Sequence, residues 1–278
     1  MIARLTKFAC RILGASVLLC IGLGPGLAFK TSASGYVRED VVVTINGVPE
    51  QWALEWEQAP STICGPQDVA LAITCPCAGW AYGELGQLSL IRRRGGREIE
   101  RLKLAPLFGF FDYPDYDRAK GQAYLQRWPM QSDDFEREAR KDPTLVQEIM
   151  SRKAPKVMAL ADYDRDGYAT EFLIQVGTLP CKKTLFAAVG VSKRVPHLHA
   201  LTSSESGEPI IIPHHGWDAL LEGPGEHKVA TWPCGDHGAE ERTELILSAV
   251  DGEISGKYRS FTCPADGSPE KLTDESDL

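Results

Sequence analysis

Two short glycine-containing turns constrain how the first third of this chain can fold. Asn46-Gly47 separates two runs rich in β-branched and aromatic residues, and Asn-Gly is the strongest short-range signal for a β-hairpin because both of its residues tolerate a positive φ. Gly95-Gly96 separates a second pair of strand-like runs. The sequence therefore predicts two antiparallel hairpins in the N-terminal part of the chain.

A short helical insertion is predicted after this β region. Asp142-Pro143 supplies an N-cap residue and a first helical residue for a helix that ends at Met150, and Asp133 with Glu136 forms a capping box for a shorter helix before it. Strand-like runs resume after the helices. We expect a mainly β (α+β) fold, in which antiparallel sheets stabilised by disulfides carry a short helical insertion.

These patterns divide the chain into five segments. The two β regions are defined by strand-like runs, and the connection between them by its aromatic and proline content. The last segment is acidic and poor in apolar residues, so we expect it to be disordered. The segments are a signal peptide (1–28), an N-terminal antiparallel β region (29–107), an aromatic-rich connection with helices (108–155), a C-terminal β region that carries an aspartate loop (156–263) and a disordered acidic tail (264–278).

The first residues predict export. Arg4, Lys7 and Arg11 precede an apolar stretch, 12–27, and small residues lie around its end at Ala28, which is the pattern of a cleavable secretory signal peptide. Glycines and a proline interrupt the stretch before it is long enough for a strong membrane-spanning helix. We expect a periplasmic or extracellular protein with no membrane span after signal cleavage.

The balance of charge excludes some classes of partner. The chain has 30 basic and 38 acidic residues, a formal net charge of −8, and cleavage of the basic signal peptide makes the remainder more acidic. An acidic exterior disfavours nucleic acid and anionic membrane surfaces, and it suits divalent cations. The expected partner is a protein or a carbohydrate, and no nucleic acid.

The cysteines beyond the signal peptide indicate disulfides. An even number in an exported protein is typical of disulfide bonding, whereas the spacing of Cys75-Pro76-Cys77 is too short for the paired cysteines of a structural zinc site. Six cysteines allow 15 connectivities, and the sequence does not choose among them. The candidates are Cys64, Cys75, Cys77, Cys181, Cys234 and Cys263.

A run of alternating aspartates predicts a bound ion. Asp162, Asp164 and Asp166 occupy alternate positions just before Gly167, so their side chains can point at one centre while the glycine permits a sharp turn. The carbonyl of Tyr168 is available at the seventh position. This all-oxygen pattern favours calcium. The competing interpretation is an ion-free turn held by aspartate-to-backbone hydrogen bonds, against which the mutual repulsion of the carboxylates weighs.

The residues after the aspartates separate this loop from an EF-hand. An EF-hand places a glutamate at the twelfth position, where this chain has Leu173, and the run 172–176 is strand-like rather than helical. The loop resembles the calcium loops of FG-GAP and VCBS-type repeats, which a strand follows. Their ninth position is usually aspartate, but here it is Thr170, with Glu171 next. Either Glu171 reaches the ion, or Thr170 binds through its hydroxyl or a water.

The predicted ligand set contains both of these alternatives. Only one such loop is evident, so the resemblance does not imply a propeller. Outside the loop, the stretches 161–200 and 232–238 are similar to a group of uncharacterised exported bacterial proteins, a likeness that implies no activity. The predicted calcium ligands are Asp162, Asp164, Asp166, Tyr168, Thr170 and Glu171.

The histidines suggest one alternative function. Asp236, His237, His197 and His199 could bind a metal and activate water in a secreted hydrolase, although no nucleophile motif or helical His-Glu-x-x-His arrangement occurs. A surface or packing role for each histidine is favoured. The preferred interpretation is therefore an exported calcium-binding β protein, with a structural or binding role and no catalytic residues. A purely structural envelope component is a further alternative.

Overall fold

The structure is a computed structural model that describes residues 35–66, 82–108, 122–130, 142–179, 183–264 and 268–278. These residues belong to one compact unit, 35–278. Within them the predicted fold class is confirmed, because antiparallel strands in four sheets dominate and helices are few.

The helices and strands are numbered along the chain. The helices are α1 (Pro143–Ser151) and α2 (His214–Glu222). The strands are β1 (Tyr36–Ile45), β2 (Val48–Trp56), β3 (Ser61–Ile63), β4 (Gly83–Gly86), β5 (Leu88–Arg94), β6 (Arg97–Lys103), β7 (Ala123–Gln126), β8 (Glu171–Leu179), β9 (Lys183–Gly190), β10 (His199–Ala200), β11 (Ile212–Pro213), β12 (His227–Trp232), β13 (Glu241–Val250), β14 (Glu253–Thr262) and β15 (Leu272–Asp277).

The N-terminal sheet has the strand order β1-β2-β5-β6 and confirms both predicted hairpins. Asn46 and Gly47 have φ angles of 50° and 76°, and Gly95 and Gly96 have 57° and 77°. Two consecutive positive φ angles let a two-residue turn follow the twist of its strands. Strands β3, β4 and β7 form a separate small sheet.

The central sheet is built on the β8-β9 hairpin, with β10 and β11 on the other edge of β9. Alternate side chains of β8 enter different cores. Phe172 and Ile174 belong to a first hydrophobic cluster that includes Trp52 of the N-terminal sheet, whereas Leu173 belongs to a second cluster that includes Trp217 of α2. Because side chains alternate across a strand, the hairpin is covered on both faces.

Helix α1 begins where the sequence predicts. Asp142 is its N-cap, and its Oδ1 accepts a hydrogen bond from the backbone N–H of Thr144 at 2.8 Å. Such a bond satisfies one of the free N–H groups of a first helical turn. The shorter helix predicted at Asp133 and Glu136 lies outside the described residues, as does most of the aromatic-rich connection.

The acidic tail differs from its prediction. We expected 264–278 to be disordered, but this segment contains β15, which pairs antiparallel with β14 in the C-terminal sheet β12-β13-β14-β15. Glu275 accepts hydrogen bonds from Lys257 Nζ at 3.0 Å and from Arg259 Nε at 2.6 Å. Composition alone hides this result, because the acidic charge is offset by basic side chains on the neighbouring strand.

Three of the six candidate cysteines are disulfide-bonded in the described residues. Cys234 and Cys263 form a disulfide that joins the end of β12 to the end of β14, and Cys64 is also disulfide-bonded. Cys75, Cys77 and Cys181 lie outside the described residues, as does the predicted signal peptide.

In the part of the chain that is described, no helix is long and apolar enough to cross a membrane.

Candidate metal centre

The aspartate loop is a closed turn that leads directly into β8. Ala161 and Glu171 form an antiparallel bridge across its base, with N–H to O distances of 2.8 and 3.2 Å. Inside the loop, Arg165 and Gly167 have φ angles of 56° and 90°, so the backbone reverses through the left-handed region that glycine adopts without strain. The loop is therefore closed at its base, and its backbone turns sharply between that base and β8.

Three carboxylates converge inside this loop. One oxygen each from Asp162, Asp164 and Glu171 lie within 4.8 Å of one another, and the described residues contain no other such group of three acidic, histidine or cysteine side chains. Asp164 is 1% exposed and Glu171 is fully buried. Asp162 is partly exposed, and carboxylates this close to one another repel unless a cation or protons neutralise them. The cluster could therefore hold a metal ion.

Each of the two aspartates uses one oxygen to shape the loop and leaves the other without a donor. Asp162 Oδ2 accepts from the N–H of Gly167 at 3.0 Å, and Asp164 Oδ1 accepts from the N–H of Asp166 at 3.1 Å. Asp162 Oδ1 and Asp164 Oδ2 are buried and have no hydrogen-bond partner in the described structure. An unsatisfied buried polar atom costs about 1 to 3 kcal/mol, and more when it is charged. These two oxygens are the ones that a cation would satisfy.

Glu171 is also short of donors. Its Oε2 accepts from the N–H of Tyr163 at 3.1 Å, and its Oε1 lies 2.8 Å from Thr170 Oγ1. The same hydroxyl lies 2.6 Å from the carbonyl oxygen of Val191. A hydroxyl has one hydrogen, so Thr170 cannot donate to both oxygens at once.

The pKa values of the two buried carboxyls are raised, as expected for acidic groups that lie close together away from water. Burial, helped by the charges of Asp166 and Asp162, raises the pKa of Asp164 to about 7. Burial, helped by the charge of Asp164, raises the pKa of Glu171 to about 9. Without a cation the cluster therefore retains protons near neutral pH. A divalent cation would replace these protons.

The other three predicted ligands are engaged elsewhere. Asp166 Oδ1 accepts from the N–H of Tyr168 at 2.8 Å, and its Oδ2 accepts from the N–H of Lys193 at 2.5 Å. The carbonyl of Tyr168 accepts from the N–H of Thr170 at 3.0 Å. Of the two alternatives for the final ligand, the geometry groups Glu171 with Asp162 and Asp164.

The loop is tied to three distant parts of the chain that its spacing does not reveal. Arg165 donates to the carbonyl of Leu220 in α2 at 3.0 Å, and the N–H of Gly252, in the β13-β14 turn, donates to the carbonyl of Asp164 at 2.9 Å. Lys193, between β9 and β10, bonds to Asp166 through both its backbone N–H and its Nζ. Sequence reasoning missed these partners because each is remote along the chain.

The residues of the alternative hydrolase site have other partners. His199 Nδ1 lies 2.8 Å from the carbonyl oxygen of His197, and His197 Nδ1 lies 3.6 Å from Glu100. Asp236 forms an ion pair with Lys183. The side chain of His237 lies outside the described structure. The described residues therefore provide no assembled histidine and aspartate metal site.

Comparison of the chain with protein-family models, with curated proteins and with solved structures finds no match. The fold and the site themselves define the class of protein. The chain is a mainly antiparallel β protein with one buried acidic cluster that could hold a metal ion.

Proposed function

We propose that the loop binds one Ca²⁺ ion and that the ion has a structural role in an exported β protein. The observation that carries this proposal is the pair of buried oxygens, Asp162 Oδ1 and Asp164 Oδ2, which have no donor in the described structure and belong to residues grouped with the buried Glu171. One cation can be bound by all three carboxylates and can balance their negative charge. Protons can relieve the repulsion only by neutralising the carboxylates one at a time.

The donor set favours calcium over other metals. All of the grouped atoms are carboxylate oxygens, whereas zinc prefers nitrogen and sulfur, and magnesium demands a compact octahedron and retains several waters. Calcium accepts six to eight oxygens at about 2.3 to 2.6 Å in flexible geometry. The resemblance of the loop to FG-GAP and VCBS-type calcium loops supports the same choice of ion.

The position of the loop supports a structural role. Met158, just before the loop, belongs to the first hydrophobic cluster, and Tyr163, inside it, belongs to the second. The hydrogen bond from Arg165 to α2 and the hydrogen bond between Asp164 and the β13-β14 turn also connect the loop to the elements around the second cluster. An ion that rigidifies this loop therefore stabilises the contact between the two cores, because binding to the folded state alone adds to its stability.

Calorimetry of the folded chain tests this proposal. Calcium at saturation should raise the melting temperature by about 5 °C or more relative to chelator, and magnesium should raise it less. Asp164→Asn, which keeps the shape of the side chain and removes its charge, should lose most of this effect. The matched control is Asp274→Asn, which neutralises an exposed aspartate of β15 and should keep the effect. Equal melting curves with calcium and chelator would overturn the proposal.

Export is the second part of this proposal. The disulfide between Cys234 and Cys263 supports it, because such bonds persist in oxidising compartments. Expression in a bacterial host followed by cell fractionation and intact-mass analysis tests it. We expect a periplasmic or secreted product that starts near residue 29, and an uncleaved cytoplasmic product would contradict export.

A further inference from the structure

A cleft of about 660 Å³ is lined by His214 and His215, the first two residues of α2, whereas the aspartate loop contacts the same helix at Leu220. Its floor is the C-terminal sheet, where Thr243 stands opposite Ser260 and Tyr258 opposite Ser276. Its volume is within the range of about 300 to 1,000 Å³ that small-molecule sites occupy. None of the three carboxylates of the proposed calcium cluster lines this cleft.

Helix α2 packs against β13 of the C-terminal sheet next to this cleft. Leu245 and Leu247 on β13 are buried in the second hydrophobic cluster with Trp217 of α2. Thr243 is on the same face of the strand, since side chains two residues apart share a face, and it lines the cleft. This face of β13 therefore carries buried leucines under α2 and a hydroxyl in the cleft.

The described lining is basic and contains no acidic residue, although the chain as a whole carries a net charge of −8. Lys183, His214 and His215 all line the cleft. Lys183 is held by Asp236, and His214 Nδ1 lies 2.8 Å from Asp218. Neither of these carboxylates belongs to the described lining. The acids therefore position the basic groups from outside the cleft.

The apolar part of the lining is continuous with these basic groups. Leu185, Ile211 and Pro213 form one wall, and Trp232 lies next to Lys183, whose Nζ is 3.3 Å from the centre of the indole ring. A lysine in that position covers one face of the ring, which leaves less aromatic surface for stacking against a sugar. The combination of an apolar wall, hydroxyl donors and basic groups suits a ligand that is apolar at one end and anionic at the other.

We propose that this cleft binds a small anionic amphiphile, an apolar body that ends in a carboxylate. The carboxylate lies at His214, His215 and Lys183, and the body packs against Leu185, Ile211 and Trp232. The N-terminus of α2 has no side-chain cap, so its backbone N–H groups add to the donors at the same end. This function is separate from calcium binding and does not depend on it.

Titration calorimetry with decanoate, with and without calcium, tests the proposal. Decanoate should bind one to one, at least about tenfold tighter than 1-decanol or decyltrimethylammonium. No binding of decanoate, or equal binding of all three, would overturn the proposal. So would binding of a neutral sugar such as maltose in place of decanoate.

Variants locate the site. Lys183→Met and His214→Ala should each weaken decanoate binding by about tenfold or less, and together by more. The matched controls are Lys228→Met and His197→Ala, which remove an exposed lysine and an exposed histidine outside the cleft and should leave binding unchanged. Ser260→Leu, which fills the floor, should block binding while the calcium-dependent melting shift remains. Unchanged binding in Ser260→Leu would contradict this site.

Discussion

The backbone N–H of Gly252 donates a hydrogen bond to the carbonyl oxygen of Asp164 at 2.9 Å. This bond joins the turn between β13 and β14 to the aspartate loop, across a separation of more than eighty residues. Because Asp164 also supplies a buried oxygen with no donor, the same residue belongs both to the proposed ion site and to the packing of the C-terminal sheet. Loss of the ion is therefore expected to affect the fold beyond the loop.

Glu171→Gln should separate the two alternatives for the final ligand. The amide keeps the shape of Glu171 and stays neutral at every pH, so the calcium-free chain should be as stable as the wild type where Glu171 holds its proton and more stable at higher pH. The increase in melting temperature on adding calcium should be largely lost. Thr170→Val should keep that increase. Calorimetry of both variants in calcium and in chelator measures these effects, and loss of the calcium response only in Thr170→Val would contradict the account.

The calcium-free chain should lose stability as pH rises. The pKa of Asp164 rises from 3.8 to about 7 on folding, and the pKa of Glu171 rises from 4.5 to about 9. The folded state therefore binds more protons than the unfolded state across this window, and the free energy of unfolding falls as pH rises through it. The stabilisation from these protons is complete below the unfolded pKa values and lost above the folded ones.

Melting curves in chelator between about pH 5 and about pH 9 measure this dependence. Because other groups also titrate, Glu171→Gln is the reference, and the decline should be shallower in that variant. Saturating calcium should flatten the decline in the wild type. A wild-type melting temperature that follows the variant at every pH would contradict the assignment of the effect to Glu171.

Gly190→Ala should be strongly destabilising. Gly190 stands opposite Glu171 in the β8-β9 pair, and a Cβ at this position would lie 2.2 Å from the carbonyl oxygen of Thr170. Since the Cβ position is fixed by the backbone of Gly190 and the contacted oxygen is itself backbone, no side-chain rotation relieves the clash and the strands must separate, at a cost of about 3 kcal/mol or more. Chemical unfolding measures the loss. Gly223→Ala is the control, because an added Cβ there meets nothing within 4 Å, and equal stability of the two variants would contradict the close approach.

Removal of the Cys234–Cys263 disulfide should destabilise the C-terminal sheet without affecting the ion. The bond spans a sequence separation of 29 residues, for which loop-closure entropy gives about 3 to 4 kcal/mol. The double variant Cys234→Ala, Cys263→Ala should unfold at lower denaturant than the wild type but keep its calcium-dependent increase in stability. An unchanged unfolding midpoint would contradict the structural role of the bond.

Local patterns predicted the parts of the fold that depend on local chemistry. Asn46-Gly47 predicted its hairpin because positive φ angles are a property of the turn residues themselves, and Asp142-Pro143 predicted the start of α1 for a similar reason. The strand β15 escaped prediction because its acidic residues are balanced by Lys257 and Arg259 on a neighbouring strand.

The same distinction holds at the candidate site. The alternate spacing of Asp162 and Asp164 predicted a shared centre, and the structure brings these carboxylates together with Glu171. Spacing did not predict that Asp166 accepts a hydrogen bond from the N–H of Lys193, because Lys193 follows β9 and comes close to the loop only when β9 pairs with β8. Long-range pairing therefore decides which members of a local pattern remain available to an ion.

A crystal structure grown with saturating calcium is the sharpest test of the proposed ion site. We expect one ion with carboxylate oxygens of Asp162, Asp164 and Glu171 at about 2.3 to 2.6 Å. Asp162 Oδ1 and Asp164 Oδ2, which are buried without a donor in the described structure, should be among the ligands. A loop that stays free of metal at saturating calcium, with its carboxylates in the same positions, would contradict the claim.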